Sequence, residues 1–177
     1  MILDKDLKYK ILEALFASCM TEVFIETGTH RARGLHTALK AGFKECYSIE
    51  LQAERYYDNL KELVDDKRVT LMLGDSQYVL PILLEKIKCK STFWLDAHCS
   101  KDYNGIIVKD YPILEEIEAI GNNRDDHIIL IDDLDHFGSD KKIRLIDIKE
   151  KIFKINENYK FELIDTNIKN NVLLAYV

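Results

Sequence analysis

Hydrophobic and polar positions follow two patterns that alternate along the chain. Short apolar runs, such as residues 23–25 and 128–131, are typical of buried strands, whereas apolar residues three and four apart, as in 3–18, are typical of amphipathic helices. The runs predict strands over residues 22–27, 45–50, 68–73, 92–96, 127–132, 159–164 and 172–176. The helical pattern predicts helices over residues 3–18, 32–40, 52–64, 77–86, 112–120 and 141–155.

This order of elements predicts an α/β fold. Five strand–helix units followed by two strands favour a seven-stranded, mostly parallel sheet with helices on both faces and a C-terminal antiparallel hairpin, whose loop is residues 167–171. The 177 residues, 47% of them hydrophobic, suit one domain over residues 1–177 with an N-terminal helix within residues 1–20.

Composition and charge exclude several classes of function. The net charge of −6 and the lack of a basic cluster interleaved with aromatic residues disfavour a nucleic-acid target. The longest apolar runs are too short to cross a membrane, and the N-terminus lacks the apolar core of a secretory signal. Four widely spaced cysteines are typical of free thiols in a reducing compartment, so a cytoplasmic location is expected.

Each of the five predicted parallel strands ends at a carboxylate. Sheets of this kind bind ligands beyond the carboxyl ends of their strands, near the point where the strand order reverses. A strand-end acid often caps the following helix, but capping alone does not explain five acids at five strand ends. These ends read Glu26-Thr27-Gly28, Glu50, Gly74-Asp75-Ser76, Asp96-Ala97-His98 and Asp132-Asp133.

In combination, these strand ends resemble the signature of the class I S-adenosylmethionine-dependent methyltransferases over essentially the whole chain. The resemblance implies a Rossmann-like sheet and S-adenosylmethionine as cofactor. It implies that a first loop lies beside the methionine part, that Glu50 accepts hydrogen bonds from the ribose, and that Asp75 and Ser76 lie at the adenine. The loop residues are Glu26, Thr27, Gly28, Thr29 and His30, with His30 and Ala32 standing where the family commonly has glycine.

The acceptor half of the pattern points to a metal. If strands four and five are neighbours, Asp96, Asp132 and Asp133 lie close together and repel one another unless a cation or protons neutralise them. Oxygen ligands suit a hard ion, Mg²⁺ first, with Mn²⁺ or Ca²⁺ as alternatives. This arrangement resembles the metal-dependent sugar O-methyltransferases of the macrocin O-methyltransferase type, which implies methylation of a sugar hydroxyl on a glycan or glycoside.

The same resemblance implies where the catalytic base and the acceptor lie. The base follows the first metal ligand by two residues, which is His98, or stands close behind the acidic pair, where Asp135 and His136 lie. The long segment 99–111 is predicted either as an acceptor lid, with Tyr103, Lys109 and Tyr111 as sugar contacts, or as a plain surface loop. The expected partner is a sugar or another small diol, and a homodimer or an association with a glycosyltransferase could complete the pocket.

Two other functions remain open. A catechol-type O-methyltransferase would share the metal chemistry with an aromatic diol as acceptor. A non-catalytic cofactor-binding module of a glycan-building assembly would bind the donor alone, although it would have no use for three clustered carboxylates. The Asn/Asp-Pro-Pro-Tyr stretch of nucleic-acid amino-methylating enzymes is absent after strand four, where the sequence reads Asp96-Ala97-His98-Cys99.

Overall fold

A single seven-stranded sheet organises the computed structural model, which describes residues 5–97, 111–137 and 142–177. The strands are β1 (Val23–Thr27), β2 (Glu45–Glu50), β3 (Val69–Leu73), β4 (Ser91–Leu95), β5 (Ile128–Ile131), β6 (Lys160–Ile164) and β7 (Val172–Tyr176). The helices are α1 (Lys5–Ser18), α2 (Arg33–Ala41), α3 (Ala53–Leu63), α4 (Ser76–Leu84), α5 (Ile113–Asn123) and α6 (Leu145–Ile155). A short 3₁₀ turn, Leu134–His136, follows β5.

The sheet has the topology that the sequence predicts. Its strand order is β3-β2-β1-β4-β5-β7-β6; β1 to β5 pair in parallel, and β7 pairs antiparallel with both β5 and β6. The predicted mostly parallel sheet with a C-terminal antiparallel hairpin is therefore confirmed. The order reverses between β1 and β4, so ligand binding is expected where those two strands end.

Two hydrophobic layers cover the sheet. On one face α4, α5 and α6 bury residues such as Leu80, Ile117 and Ile148. On the other face α1 and α2 pack over Trp94, which is 1% exposed and is a core residue as its mid-strand position predicts. Observed helices begin or end up to four residues from their predicted bounds; α6 begins at Leu145, where Arg144 and Asp147 form a capping box, while the predicted start at residue 141 lies outside the described residues.

Helix α1 is fixed by aromatic packing near its C-terminal end. The ring of Phe16 lies 5.0 Å from that of Phe24 and 5.4 Å from that of Trp94. These pairs are tilted and edge-on, which are geometries that aromatic pairs prefer. Leu12 lies one turn earlier and is fully buried. Lys8 stands four residues before Leu12, so the same helix face carries a lysine toward the sheet.

Gly28 is required where β1 and β4 come together. Its φ is +86°, and a Cβ atom there would lie 2.5 Å from the backbone oxygen of Asp96. Gly42 also has a positive φ, +102°, but a Cβ atom there would have no heavy-atom neighbour within 4 Å.

We expect Gly28→Ala to lower the free energy of unfolding by about 2 kcal/mol more than Gly42→Ala does, because only the first adds overpacking to backbone strain. Chemical denaturation of the two variants and the wild type measures this difference. Equal destabilisation of both variants would show that the contact with Asp96 relaxes without cost.

The structure bears on two expectations, that the chain has no membrane span and that its cysteines are free thiols. No helix in the described parts of the chain is long and apolar enough to span a membrane. Cys19, Cys46 and Cys89 carry free thiols, in agreement with the prediction for these three cysteines.

Candidate functional site

The ends of the central strands bring most of the predicted site residues to one edge of the sheet. Because β1 pairs with both β2 and β4, and β4 pairs with β5, the acids that follow these strands lie side by side. The predicted neighbourhood of strands four and five is therefore confirmed. Oxygen atoms of Asp96, Asp132 and Asp133 lie within 4.8 Å of one another.

Glu50, at the end of β2, holds the loop that follows β1. Its Oε2 accepts the backbone N–H of His30 at 2.7 Å, and its Oε1 accepts the backbone N–H of Gln52 at 2.8 Å. The side chain is buried, but each carboxylate oxygen retains a second lone pair. Glu50 can therefore accept hydrogen bonds from a ligand while it orders the loop.

Glu26 lies beneath the same loop, 1% exposed. Ser48 Oγ donates to its Oε2 at 2.5 Å and lies 2.6 Å from Thr29 Oγ1, so β2 is tied to both the strand end and the loop. Glycine at position 34 makes room for this carboxyl, because a Cβ atom there would lie 2.1 Å from Glu26 Oε1. Burial raises the pKa of Glu26 well above its ordinary value, although the hydrogen bond from Ser48 opposes the rise. The geometry thus shows Glu26 supporting the loop from below.

Asp75 and Ser76 begin α4 at the end of β3. Asp75 is the N-cap of α4, and its side chain accepts the backbone N–H of Gln77 at 3.1 Å. Capping satisfies a free helix amide, and it leaves carboxylate lone pairs available to a ligand. Ser76 is buried next to Glu116 of α5.

Glu116 is a buried acid that lies beside the strand ends, and no motif of the sequence marks it. It is 1% exposed, and its Oε1 and the Oγ1 of Thr27 have no partner in standard hydrogen-bond geometry among the described residues. Burial raises the pKa of Glu116 to about 7; the hydroxyl groups of Ser76 and Thr27 oppose the rise, and the charge of Asp75 adds to it. The carboxyl is therefore half protonated near neutral pH.

Glu116 should make the protein less stable as the pH rises from about 4.5 to about 7. In that interval the unfolded chain has released the Glu116 proton while the folded chain still binds it, so folding stability falls with pH and levels off above the folded pKa. We expect Glu116→Gln to match the wild type near pH 4.5 and to exceed its free energy of unfolding by about 3 kcal/mol above pH 7. Urea denaturation across this pH range measures the difference. A constant gap between the two proteins would contradict the shifted pKa.

The acidic cluster, defined as Asp96, Asp132 and Asp133, has the features of a cation site. Asp132 is 2% exposed, and its Oδ1 has no hydrogen-bond partner among the residues described. Asp133 has a positive φ of 48°, and its Oδ1 accepts the Nδ2 hydrogen of Asn171 at 3.0 Å. Oxygen ligands of Mg²⁺ or Ca²⁺ lie about 2.0–2.6 Å from the ion, so oxygens within 4.8 Å of one another can share one ion. The donor set fits a hard divalent cation.

Lys8 of α1 supplies a positive charge to this cluster. Its Nζ lies 2.5 Å from Asp132 Oδ2 and 3.5 Å from Asp133 Oδ1. Burial lowers the pKa of Lys8, but the charges of Asp132, Asp133 and Asp96 outweigh burial and raise it above its ordinary value. Burial also raises the pKa of Asp132, with Lys8 opposing the rise. A divalent ion at the cluster would compete with this ammonium group for the same oxygens.

The remaining predicted acceptor residues are only partly described. His98, Tyr103 and Lys109 lie outside the described residues. The ring of Tyr111 lies 5.9 Å from that of His136, and Asp135 is exposed on the 3₁₀ turn. Tyr111 and His136 are therefore neighbours directly behind the acidic pair.

Comparisons with known proteins identify the fold. No family model matches the chain, and no curated protein matches it either. A methyltransferase from Podospora anserina, solved with S-adenosylhomocysteine, is 13% identical with a TM-score of 0.63, over 95% of this chain and 76% of the other. The O-methyltransferase TomG from Streptomyces achromogenes, in complex with S-adenosylmethionine, is 16% identical with a TM-score of 0.60. The match covers 96% of this chain and 78% of TomG.

A spermidine synthase from Thermotoga maritima also superimposes, with 13% identity and a TM-score of 0.61 over 97% of this chain and 59% of the other. The fold therefore carries more than one reaction, and the reaction must be argued from the site. The chain has the class I methyltransferase fold.

Proposed function

We propose that the protein is an S-adenosylmethionine-dependent O-methyltransferase that uses a divalent metal ion to methylate a hydroxyl of a sugar or another small diol. The observation that carries this proposal is the acidic cluster at the end of β4 and β5, one strand away from the loop that Glu50 and Glu26 hold. This adjacency suits methyl transfer, in which a hydroxyl oriented by the metal must lie next to the methyl group of the donor. The sugar acceptor and His98 as base come from the resemblance to metal-dependent sugar O-methyltransferases.

The donor side of the proposal rests on the loop after β1. Glu50 accepts hydrogen bonds from the ribose hydroxyls. It does so with the lone pairs that remain free after its two hydrogen bonds from backbone N–H groups. Asp75 and Ser76 lie at the adenine, and Thr27 to His30 border the methionine part. Glu26 contributes by holding this loop in place, because its carboxyl is buried beneath it.

The acceptor side combines positioning with proton removal. Bound S-adenosylmethionine supplies an electrophilic methyl group, and a divalent ion supplies a positive charge that lowers the pKa of a nearby hydroxyl. Asp96, Asp132 and Asp133 hold the ion, and His98 takes the hydroxyl proton, since its ordinary pKa lies near neutrality. Most of the rate enhancement comes from holding the hydroxyl in line with the methyl group. Tyr111 and His136 are proposed to contact the acceptor, as are Tyr103, Lys109 and Asp135.

Donor binding is tested by calorimetry with S-adenosylhomocysteine. We expect one molecule to bind per chain and Glu50→Gln to weaken binding at least about tenfold, because a hydrogen bond to a charged group contributes about 1.5–3 kcal/mol. Glu45→Gln is the matched control, since Glu45 is exposed at the other end of β2. A wild-type protein that binds neither S-adenosylhomocysteine nor S-adenosylmethionine would contradict the proposal.

The position of Lys8 favours a second function. Its ammonium group already offsets part of the negative charge of the acidic cluster. A non-catalytic donor-binding module without a metal would need such a positive charge to keep the cluster stable. Such a module binds S-adenosylhomocysteine but transfers no methyl group at any metal concentration. A catechol-type enzyme is distinguished by its acceptor: it methylates aromatic diols and rejects all sugars. A second copy or a glycosyltransferase that completes the acceptor pocket stays a prediction.

A further inference from the structure

A pocket of about 280 Å³ opens beside the acidic cluster. It lies between the start of α1, the loop after β1, the end of β5 and the hairpin loop before β7. Its volume is just below the range of about 300–1,000 Å³ that is typical for drug-sized ligands, so it suits a small molecule such as one sugar unit. Its lining includes Lys8, Tyr9, Arg31, Arg33, Asp133 and Asn171.

One side of this pocket carries two arginines, Arg31 and Arg33. Arg31 and Arg33 are exposed, and neither forms an ion pair with a carboxylate in the described parts of the chain. The guanidinium group of Arg33 lies 5.5 Å from the centre of the Tyr9 ring, a cation–π contact that orders the side chain without cancelling its charge. In a chain of net charge −6, two guanidinium groups at one pocket are a local concentration of positive charge.

A second, independent observation points to a ligand in the same pocket. Asn171 is 1% exposed, and its Oδ1 has no hydrogen-bond partner among the described residues, although its Nδ2 donates to Asp133. A buried carbonyl oxygen without a donor is costly, so this atom is suited to accept a hydrogen bond from a ligand hydroxyl.

We propose that this pocket binds a hydroxyl-bearing acceptor through an anionic group, a phosphate or a carboxylate, held by Arg31 and Arg33. This inference rests on the proposed function and specifies, in addition, that the acceptor carries a negative charge. The planar guanidinium fork matches the oxygens of either anion in a bidentate fashion. The carboxylates of Asp132 and Asp133 repel an anion from the inner end, so the charged group binds at the arginines and the hydroxyls face Asn171 and the acidic cluster.

Calorimetry on the full chain, without donor and without metal, tests the site by binding alone. The ligands are glucose 1-phosphate, glucuronic acid and glucose, which carry a phosphate, a carboxylate and no charge. At least one anionic sugar is expected to bind tenfold or more tightly than glucose, and the tighter of the two identifies the anion. In the variant Arg31→Gln/Arg33→Gln this tenfold preference should disappear, since both charged donors to the anion are removed.

The matched control is Lys40→Gln/Lys67→Gln, which removes the same number of charges at exposed positions elsewhere. This control should keep the preference for the anionic sugar. Equal binding of charged and neutral sugars, no binding of either anionic sugar, or the same loss in the control would each overturn the site. A protein that binds an anionic sugar but transfers no methyl group would overturn the proposed function and leave the anionic site standing.

Discussion

Replacing Asp132 by asparagine is expected to abolish divalent-cation binding and to lower the rate of methyl transfer by about 100-fold or more. Asp132 is the most buried member of the acidic cluster, and its Oδ1 has no partner among the described residues, so it is the oxygen most suited to a metal. Asparagine keeps the shape but removes the charge, and with its one oxygen facing Lys8 it presents an NH₂ group, which cannot ligate a metal, in place of Oδ1. Initial rates with labelled S-adenosylmethionine and saturating Mn²⁺ measure the loss.

The control for this substitution is Asp125→Asn. Asp125 is exposed and lies near the opposite end of β5, so the change in net charge is the same while the acidic cluster is untouched. The control should retain wild-type activity and metal affinity. Full activity of Asp132→Asn would exclude a metal held by this residue.

Replacing Lys8 by methionine should make the metal-free protein less stable and should tighten its binding of Mn²⁺. Lys8 lies 2.5 Å from a carboxylate that is 2% exposed, and breaking a buried ion pair on one side costs about 3–5 kcal/mol. Without the ammonium group the cluster holds three uncompensated acids, and the ion no longer competes for their oxygens. Urea denaturation in chelator gives the stability loss, and calorimetry gives the affinity.

Metal should then rescue this variant more than the wild type, because a ligand that binds only the folded state stabilises it more the more tightly it binds. Lys10→Met is the control, since Lys10 is exposed on the same helix. If the Lys8 variant bound Mn²⁺ no more tightly than the wild type, the ammonium group and the ion would not share the acidic cluster.

The fold could be predicted because its signals are periodic. Apolar runs and helical spacings repeat five times before the hairpin, and one chemical feature, a strand-end acid, recurs at each parallel strand. The pairing of β4 with β5 then brought Asp96 and the Asp132-Asp133 pair together, as the sequence predicts.

The contributions of Lys8, Glu116 and Asn171 could not be predicted in the same way, because each depends on contacts between distant elements. Lys8 had a weak signal, its place four residues before Leu12 on the buried face of α1. Glu116 also had a weak signal in the sequence, since it stands among Ile113, Ile117 and Ile120 on the buried face of α5. A charged residue at a buried helical position is a reason to look for a partner, but only the tertiary structure identifies that partner.

Paramagnetic relaxation of bound S-adenosylmethionine by Mn²⁺ reports directly whether the donor site and the acidic cluster lie side by side. We expect one Mn²⁺ per chain to relax the methyl protons of the bound donor strongly, and we expect Asp132→Asn to remove the effect while Asp125→Asn keeps it. Relaxation in the wild type no greater than in Asp132→Asn would contradict a metal site next to the transferred methyl group.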